Sequence, residues 1–245
     1  MRIALAGNPN SGKTTMFNAL TGAGEKVGNW AGVTVDKKAH PLKKRFRGDL
    51  DIVAVDLPGA YSISPFTSEE SVTSDYVKNA KPDAIINIVD ATNLSRSLFF
   101  TTQLLELGVP VVVALNKTDA TDKKETEIDE GKLSEMLGCP VIKTASISRR
   151  GLKELVSAAT SIVGKVPTPP FTAGTSCNKA EAEISDRRRF AFVDSVVSAV
   201  EVRKVKTREK NREDALDAVL TNRFVGLPIF ALVMFLVFGI SQAWV

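Results

Sequence analysis

Cysteine and histidine are nearly absent from this chain of 245 residues, which contains two cysteines and one histidine. Cys139 and Cys177 are isolated and form no CxxC pair, so the sequence predicts neither a disulfide framework nor a zinc site. A reducing compartment fits this cysteine usage. His40 lies in a charged stretch, and we interpret it as a surface residue.

A large excess of charge of one sign is also missing. The chain has 32 basic and 28 acidic residues, a net charge of +4. A mildly basic chain could favour an anionic surface such as lipid headgroups or nucleic acid, but such a balance is typical of solvated lysines and arginines. We predict no nucleic-acid partner. We interpret the basic clusters KKRFR (Lys43–Arg47) and DRRRF (Asp186–Phe190) as solvated faces. The start, MRIALAG, lacks the apolar run of a signal peptide, so we expect the N-terminal part to stay in the cytosol.

Long apolar runs are absent except for Phe224–Val245, which carries no charge. As a helix this run would extend roughly 33 Å, enough to cross the hydrocarbon core of a bilayer. Lysine and arginine are frequent between Arg203 and Arg223, which by the positive-inside rule keeps the preceding segment cytoplasmic. A buried helix of a soluble domain is the alternative, but such a helix usually shows a polar stripe. We predict that this run enters a membrane, either as a tail anchor or as part of a longer membrane domain.

Short apolar segments alternate with helical patterns over the first two thirds of the chain, which predicts a mostly parallel sheet with helices on both faces. An additional edge strand is predicted between His40 and Arg47. The predicted strands are Ile3–Gly7, Asp51–Asp56, Ala84–Asp90, Val109–Asn116 and Pro140–Thr144. The predicted helices are Lys13–Thr21, Ser68–Asn79, Leu94–Leu107, Asp129–Leu137 and Leu152–Val163.

The alternation stops at Gly164–Ser176, which is rich in proline, glycine and threonine and reads as a linker. Lys179–Lys206 then has helical periodicity, with Phe190, Val193 and Val200 on one face, and we expect no strand after it. The sequence therefore predicts an α/β domain at 1–165, a linker and small all-α domain at 166–222, and the membrane segment at 223–245.

The strongest motif is GNPNSGKTT, which matches GxxxxGK[ST] between a predicted strand and a predicted helix. Small residues let the backbone wrap around a phosphate chain, and the helix N-terminus adds positive potential. We expect Lys13 to reach the β- and γ-phosphates and Thr14 to bind Mg²⁺. The nucleotide-binding residues predicted here are Gly7, Asn8, Pro9, Asn10, Ser11, Gly12, Lys13, Thr14 and Thr15.

Two further segments complete a predicted γ-phosphate and Mg²⁺ site. In DLPG, at the end of the second predicted strand, Asp56 can hold Mg²⁺ through water and the Gly59 N–H can meet the γ-phosphate. A mobile threonine closes on Mg²⁺ in such sites. Thr34 is the only threonine between Gly22 and Lys37, so we assign it that role.

The segments NKTD and TAS predict guanine specificity. The Asp119 carboxylate can accept hydrogen bonds from guanine N1–H and the N2 amine, which adenine lacks. The stem of Lys117 can lie over the base, and the Ala145 N–H can donate to guanine O6. The predicted base-binding residues are Asn116, Lys117, Asp119, Thr144, Ala145 and Ser146. The motif order predicts a P-loop GTPase fold of the Ras-like type.

The segments GNPNSGKTT, VGNWAGVTV, DLPGAYSISPFTSEE and NLSRSLFFTTQLLELGVPV together resemble the cytosolic part of the bacterial ferrous iron transporter B family, as does the junction LTNRFVGLPIFALVMFLVF. The resemblance implies a G domain, a helical domain that slows nucleotide release, and a multi-span iron-conducting region beyond this chain. It also implies a place on the cytoplasmic side of the cell membrane, and it makes 223–245 the start of the first transmembrane helix. A second copy of the chain is a further candidate partner. Ala31 stands where the family usually has proline, which affects the expected stiffness of that segment.

The expected reaction is slow hydrolysis of GTP to GDP and phosphate. Ras-like GTPases orient the attacking water with a glutamine at the position of Ala60, which has no hydrogen-bonding side chain. In potassium-activated relatives with a PNxGK loop, the asparagine matching Asn10 helps hold K⁺ beside the phosphates, so we expect K⁺ there. The alternative function is a soluble switch in ribosome or RNA maturation, and a third, an ATP-driven enzyme, is disfavoured by Asp119.

Overall fold

The computed structural model describes residues 1–22, 27–29, 36–63, 68–123, 126–165, 167–172, 179–203, 228, 234–235, 237–239 and 242. The chain divides into two compact units, Met1–Lys204 and Val205–Val245. None of the helices in the ranges given is both long and apolar enough to cross a membrane. The predicted membrane segment 223–245 lies mostly outside the described residues.

Strands and helices alternate through the first unit, as the sequence predicts. The strands are β1 (Arg2–Gly7), β2 (Val27–Asn29), β3 (Asp36–Pro41), β4 (Val53–Asp56), β5 (Ala84–Asp90), β6 (Val111–Asn116), β7 (Thr126–Ile128), β8 (Val141–Lys143) and β9 (Glu201–Arg203). The helices are α1 (Lys13–Thr21), α2 (Lys44–Arg47), α3 (Ser68–Asp75), α4 (Leu94–Glu106), α5 (Thr118–Lys123), α6 (Glu130–Leu137), α7 (Leu152–Ser161) and α8 (Lys179–Val200). A π-helical turn, Tyr76–Ala80, continues α3.

Seven of the described strands form a mixed, mostly parallel sheet in the order β2-β3-β4-β1-β5-β6-β8, and β7 and β9 form a separate two-stranded sheet. From β4 to β8 all neighbours are parallel, whereas β2, β3 and β4 pair antiparallel at one edge. The carboxyl ends of β1, β4, β5 and β6 therefore meet at one edge of the sheet, where ligands bind in folds of this type. The predicted α/β fold class is confirmed.

Each face of the sheet carries a separate apolar core. Along β1, Ile3 and Leu5 belong to one cluster and Ala4 and Ala6 to the other, because successive side chains of a strand point to opposite faces. Helices α1 and α7 cover the face of Ile3, with Met16, Leu20, Leu152 and Leu155 buried. Helices α3, α4, α6 and α8 contribute to the opposite face, with Val72, Leu98, Leu133 and Val193 buried.

Three local predictions were wrong. The edge strand predicted between His40 and Arg47 is instead β3, which ends at Pro41, followed by the short helix α2. The prediction that no strand follows the long C-terminal helix is also wrong, since β9 follows α8 and pairs antiparallel with β7. The cluster DRRRF is not wholly solvated, because Arg189 is only 4% exposed.

Arg189 joins α8 to α4 through a buried ion pair. Its guanidinium donates to Glu106 Oε2 at 2.5 Å and to Thr102 Oγ1 at 3.1 Å. The same cation lies 5.8 Å from the ring centre of Phe99 and 5.3 Å from that of Phe171. Helix α8 thus packs on α4 in the first unit, whereas the division at residue 165 stays a prediction.

We expect Arg189→Met to lower the free energy of unfolding by about 3 kcal/mol, because it leaves the partly buried Glu106 carboxylate without this cation. Urea unfolding followed by circular dichroism measures the change. Arg188→Met, at the exposed neighbouring position, is the matched control and should change stability by less than about 0.5 kcal/mol. Equal losses in the two variants would contradict a stabilising role for the Arg189 pair.

Candidate functional site

The loop between β1 and α1 has the tight backbone that its glycines and asparagine predict. Gly12 has φ 91°, and a Cβ there would collide with Asn116 Nδ2, so only glycine fits. A Cβ on Gly7 would lie 2.6 Å from the carbonyl oxygen of Ile88. Asn10 has φ 64°, a left-handed conformation that asparagine tolerates better than most residues. Close packing of Asn116 and Ile88 against the two glycines therefore restricts the conformation of the phosphate loop.

A cavity of about 670 Å³ opens above this loop, at the carboxyl ends of the strands. Its walls come from the phosphate loop, the DLPG segment, the NKTD segment and the TAS segment. The lining residues are Asn8, Pro9, Asn10, Gly12, Lys13, Thr14, Thr15, Pro58, Gly59, Asn116, Lys117, Asp119, Ser146 and Ile147. Segments far apart in sequence thus meet at one site.

Lys13 and Asp56, predicted as a phosphate and a Mg²⁺ residue, form an ion pair with each other. Lys13 Nζ donates to Asp56 Oδ1, and the two side chains are only 11% and 9% exposed. The pair exists because Lys13 begins α1 while Asp56 ends β4, the strand beside β1. Each charge therefore has a partner in this conformation of the chain.

Asn116 holds three loops of the cavity together. Its Nδ2 donates to the carbonyl oxygen of Ser11 at 2.9 Å, and its Oδ1 accepts from the N–H and hydroxyl of Ser146 at 3.0 and 2.8 Å. The residue is 2% exposed and lies at the end of β6. Asn116 therefore fixes the phosphate loop relative to the two loops predicted to hold the base.

Asp90, which the sequence analysis did not select, orients Lys117. Lys117 Nζ donates to Asp90 Oδ2 at 2.6 Å. Burial is the largest influence on this carboxyl and raises its pKa, but hydrogen bonds from Lys117 and Thr92 outweigh it, so the pKa of Asp90 lies below its ordinary value. Asp90 is the last residue of β5, which pairs in parallel with β6. Because parallel strands present their carboxyl ends at the same edge of a sheet, the sequence could have indicated that Asp90 lies near Asn116.

The loop at Ala145 is braced by its own backbone. The Ala145 N–H donates to the Arg150 carbonyl oxygen at 3.2 Å, and Arg150 donates to Thr118 Oγ1 at 2.7 Å. Thr118 in turn donates to the Thr144 carbonyl oxygen at 3.1 Å. A hydrogen bond from the Ala145 N–H to guanine O6, as predicted, would thus require this amide to change its partner.

The predicted site residues fall into three groups. Most of them line the cavity, where Pro58 and Ile147 are the two lining residues that the sequence analysis did not name. Thr34, the predicted mobile Mg²⁺ ligand, lies outside the described residues. The third group lies behind or beside the cavity wall rather than among its lining residues: Gly7, Ser11, Asp56, Thr144 and Ala145.

A metal site made of protein side chains alone is not found in the described part of the chain, where no group of three His, Cys, Asp or Glu could hold an ion. The residues present do fit a Mg²⁺ ion carried by a nucleotide. Thr14 supplies a hydroxyl at the cavity and Asp56 a nearby carboxylate, the oxygen ligands that Mg²⁺ prefers, and Mg²⁺ typically takes its other ligands from phosphate and water.

The sheet order, the glycine-shaped loop before α1 and the cavity at the strand ends define the P-loop GTPase fold. The family model described as ferrous iron transport protein B matches residues 1–159. The chain belongs to this family.

Individual relatives agree with this assignment. The Fe(2+) transporter FeoB of Salmonella typhimurium is 34% identical over 97% of this chain, which spans 38% of that relative's length. A GDP-bound point mutant of S. thermophilus NFeoB has 33% identity and a TM-score of 0.72, covering 82% of this chain and 100% of its own. The cytosolic domain of T. maritima FeoB in its GMPPNP form has 25% identity and a TM-score of 0.74, covering 82% and 99%.

Proposed function

We propose that this chain is the cytosolic module of a ferrous iron transporter that binds GTP with Mg²⁺ and hydrolyses it slowly to GDP and phosphate. The observation that carries the proposal is one cavity lined by residues of four predicted motifs, the phosphate loop, DLPG, NKTD and TAS, with Lys13, Gly59, Asp119 and Ser146 among them. Its volume of about 670 Å³ suits a ligand of nucleotide size. GDP and GMPPNP in the two structural relatives support a guanine nucleotide here.

Base recognition rests on Asp119, an exposed carboxylate at the cavity. This group accepts two hydrogen bonds from guanine, whereas adenine offers neither donor and would leave the charge without a partner. Lys117 Nζ is held by Asp90, and we expect the aliphatic stem of Lys117 to cover the base. ATP should therefore bind much more weakly than GTP.

Phosphate binding exchanges the partners of the Lys13–Asp56 ion pair. We expect Lys13 to turn to the β- and γ-phosphates, while Asp56 accepts hydrogen bonds from water on Mg²⁺ and Thr14 binds the ion directly. When bound, Mg²⁺ would neutralise the negative charge that develops on the phosphate oxygens. Thr34 remains the predicted residue that joins this set when the γ-phosphate is present.

Hydrolysis should be slow and should depend on potassium. Ala60 has no hydrogen-bonding side chain, and its N–H already donates to the Gly7 carbonyl oxygen at 3.2 Å, so this position cannot orient the attacking water as a glutamine would. Asn10 lines the cavity at the phosphate end and is the candidate K⁺ ligand. We expect GTP hydrolysis to be about tenfold faster or more in KCl than in NaCl, because K⁺ adds positive charge beside the β- and γ-phosphates.

Phosphate release measured on the purified chain in either salt tests this prediction, with ATP as the nucleotide control. In Asn10→Ala the rate in KCl should fall to the rate in NaCl. Equal rates of the unaltered chain in the two salts would remove the K⁺ assignment. Failure to hydrolyse GTP at all, or equal hydrolysis of ATP, would contradict the function itself.

The partner proposed for this module is the membrane-spanning, iron-conducting region of the same transporter. The chain spans about two fifths of the length of the curated relative that it matches. Family membership favours this reading over the soluble ribosome or RNA-maturation switch. We accordingly place the module on the cytoplasmic side of the membrane, with a helical part beginning near residue 166 and a membrane helix near 223.

A further inference from the structure

Helix α4 carries a buried glutamine that binds the backbone following the DLPG motif. We define Asp56–Ile63 as the DLPG loop. The Ile63 N–H donates to Gln103 Oε1 at 2.8 Å, and Gln103 Nε2 donates to Ser62 Oγ at 3.1 Å. Gln103 is only 8% exposed. A buried amide that directs both its oxygen and its nitrogen to one loop fixes the position of that loop.

The other end of the DLPG loop is held by different elements. The Ala60 N–H donates to the Gly7 carbonyl oxygen at 3.2 Å, and Thr73 Oγ1 of α3 donates to the Pro58 carbonyl oxygen at 3.2 Å. These bonds secure the residues on either side of Gly59. Gln103 secures Ser62 and Ile63, two and three residues after Ala60.

A second residue of α4 connects the same helix to the cavity. The guanidinium of Arg96 lies 4.0 Å from the ring centre of Tyr61. The Arg96 carbonyl oxygen accepts from Asn8 Nδ2 of the phosphate loop at 3.0 Å. Helix α4 therefore touches both the phosphate loop and the DLPG loop and sets the distance between them.

We propose that Gln103 is a positioning residue for GTP hydrolysis, an inference that rests on the proposed function. Because position 60 is alanine, no side chain at this position can orient the attacking water, and within the described residues 56–63 we assign that role to backbone groups of the DLPG loop. Backbone groups act efficiently when their positions are fixed before the reaction, since no free energy is then spent on ordering them. Gln103 fixes the loop from behind without entering the cavity.

The test compares Gln103→Met, which keeps the volume but loses both hydrogen bonds, with Gln103→Glu, which can accept from both the Ile63 N–H and the Ser62 hydroxyl. In single-turnover assays at saturating GTP, we expect the Met variant to be about tenfold slower and the Glu variant within about threefold of the unaltered chain. GDP affinity should stay unchanged in both, because GDP lacks the γ-phosphate that the DLPG loop contacts.

Thr102→Val is the matched control. Thr102 is the neighbouring residue on α4, is 1% exposed, and contacts Arg189 of α8 rather than the DLPG loop. Its substitution removes a buried polar group of similar kind and should leave the single-turnover rate unchanged. A rate loss in Thr102→Val equal to that in Gln103→Met would overturn the positioning role and indicate general damage to the helix.

Hydrogen exchange of the Ile63 amide in the GDP-bound chain gives a readout that does not need hydrolysis. We expect faster exchange in Gln103→Met than in Gln103→Glu or the unaltered chain. Equal exchange rates in all three proteins would overturn the inference, as would an unaltered hydrolysis rate in Gln103→Met. If the unaltered chain did not hydrolyse GTP, the proposed function itself would be contradicted. That result can be distinguished from a failure of the positioning role, in which the unaltered chain and Gln103→Met hydrolyse GTP equally fast.

Discussion

Asp119→Asn is expected to weaken GDP binding by a factor of about 10² to 10⁴, because two hydrogen bonds to a charged acceptor are each worth about 1.5–3 kcal/mol. The asparagine amide donates where the carboxylate accepts, so it faces the N2 amine of guanine with a second donor. Xanthine has a carbonyl oxygen at that position. The variant should therefore bind xanthosine diphosphate more tightly than GDP, which reverses the preference of the unaltered chain.

Fluorescence titration with a labelled guanine nucleotide, and competition by unlabelled GDP and xanthosine diphosphate, measure both effects. Asp194→Asn makes the same charge change at an exposed position of α8 and should leave both affinities unaltered. In the full-length transporter the same substitution at Asp119 should reduce iron uptake. Undiminished GDP affinity would show that another residue reads the base, and undiminished uptake would separate nucleotide binding from transport.

The parts of the site that were predictable are those whose residues are neighbours in sequence. The phosphate loop joins a strand and a helix that are adjacent in the chain, and α1 was predicted with the bounds Lys13–Thr21 that the structure has. Asp56, Asn116 and Thr144 were selected because each lies at or directly after the last residue of an apolar strand, and parallel strands present their carboxyl ends at one edge. Motif order and strand periodicity thus sufficed for the fold and for most of the residues that line the cavity, whereas Asp56 and Thr144 lie outside that lining.

The contacts that were missed join residues distant in sequence. Arg189 and Glu106, which form an ion pair, are 83 positions apart in the sequence. Nothing in the sequence of the basic cluster DRRRF indicates which of its arginines will be buried. Strand β9 is short and carries charged residues, and it exists because β7 offers it an edge. In the sequence Gln103 cannot be distinguished from other polar residues of an amphipathic helix, because its contacts with Ser62 and Ile63 are seen only in the structure.

Lys13→Met is expected to abolish most GTP hydrolysis, with a loss of about 10² to 10³ in rate, because it removes a fixed positive charge from the phosphates. The structure adds a second consequence for the nucleotide-free chain. Asp56, whose side chain is 9% exposed, would lose the cation that now neutralises it. Breaking a buried ion pair by removing one partner costs about 3 kcal/mol or more, so the nucleotide-free variant should be less stable by that amount.

The double variant Lys13→Met/Asp56→Asn separates the two roles of the pair. It leaves no unpaired buried charge at these two positions, so urea unfolding without nucleotide and with chelator present should show most of the lost stability restored. Hydrolysis should remain lost, because neither the phosphate charge nor the Mg²⁺-facing carboxylate returns. A single variant as stable as the unaltered chain would contradict a stabilising ion pair, and recovery of hydrolysis in the double variant would contradict the roles assigned to both residues. We therefore expect the Lys13–Asp56 ion pair to stabilise the chain without nucleotide, and nucleotide binding to exchange it for contacts of Lys13 with phosphate and of Asp56 with Mg²⁺-bound water.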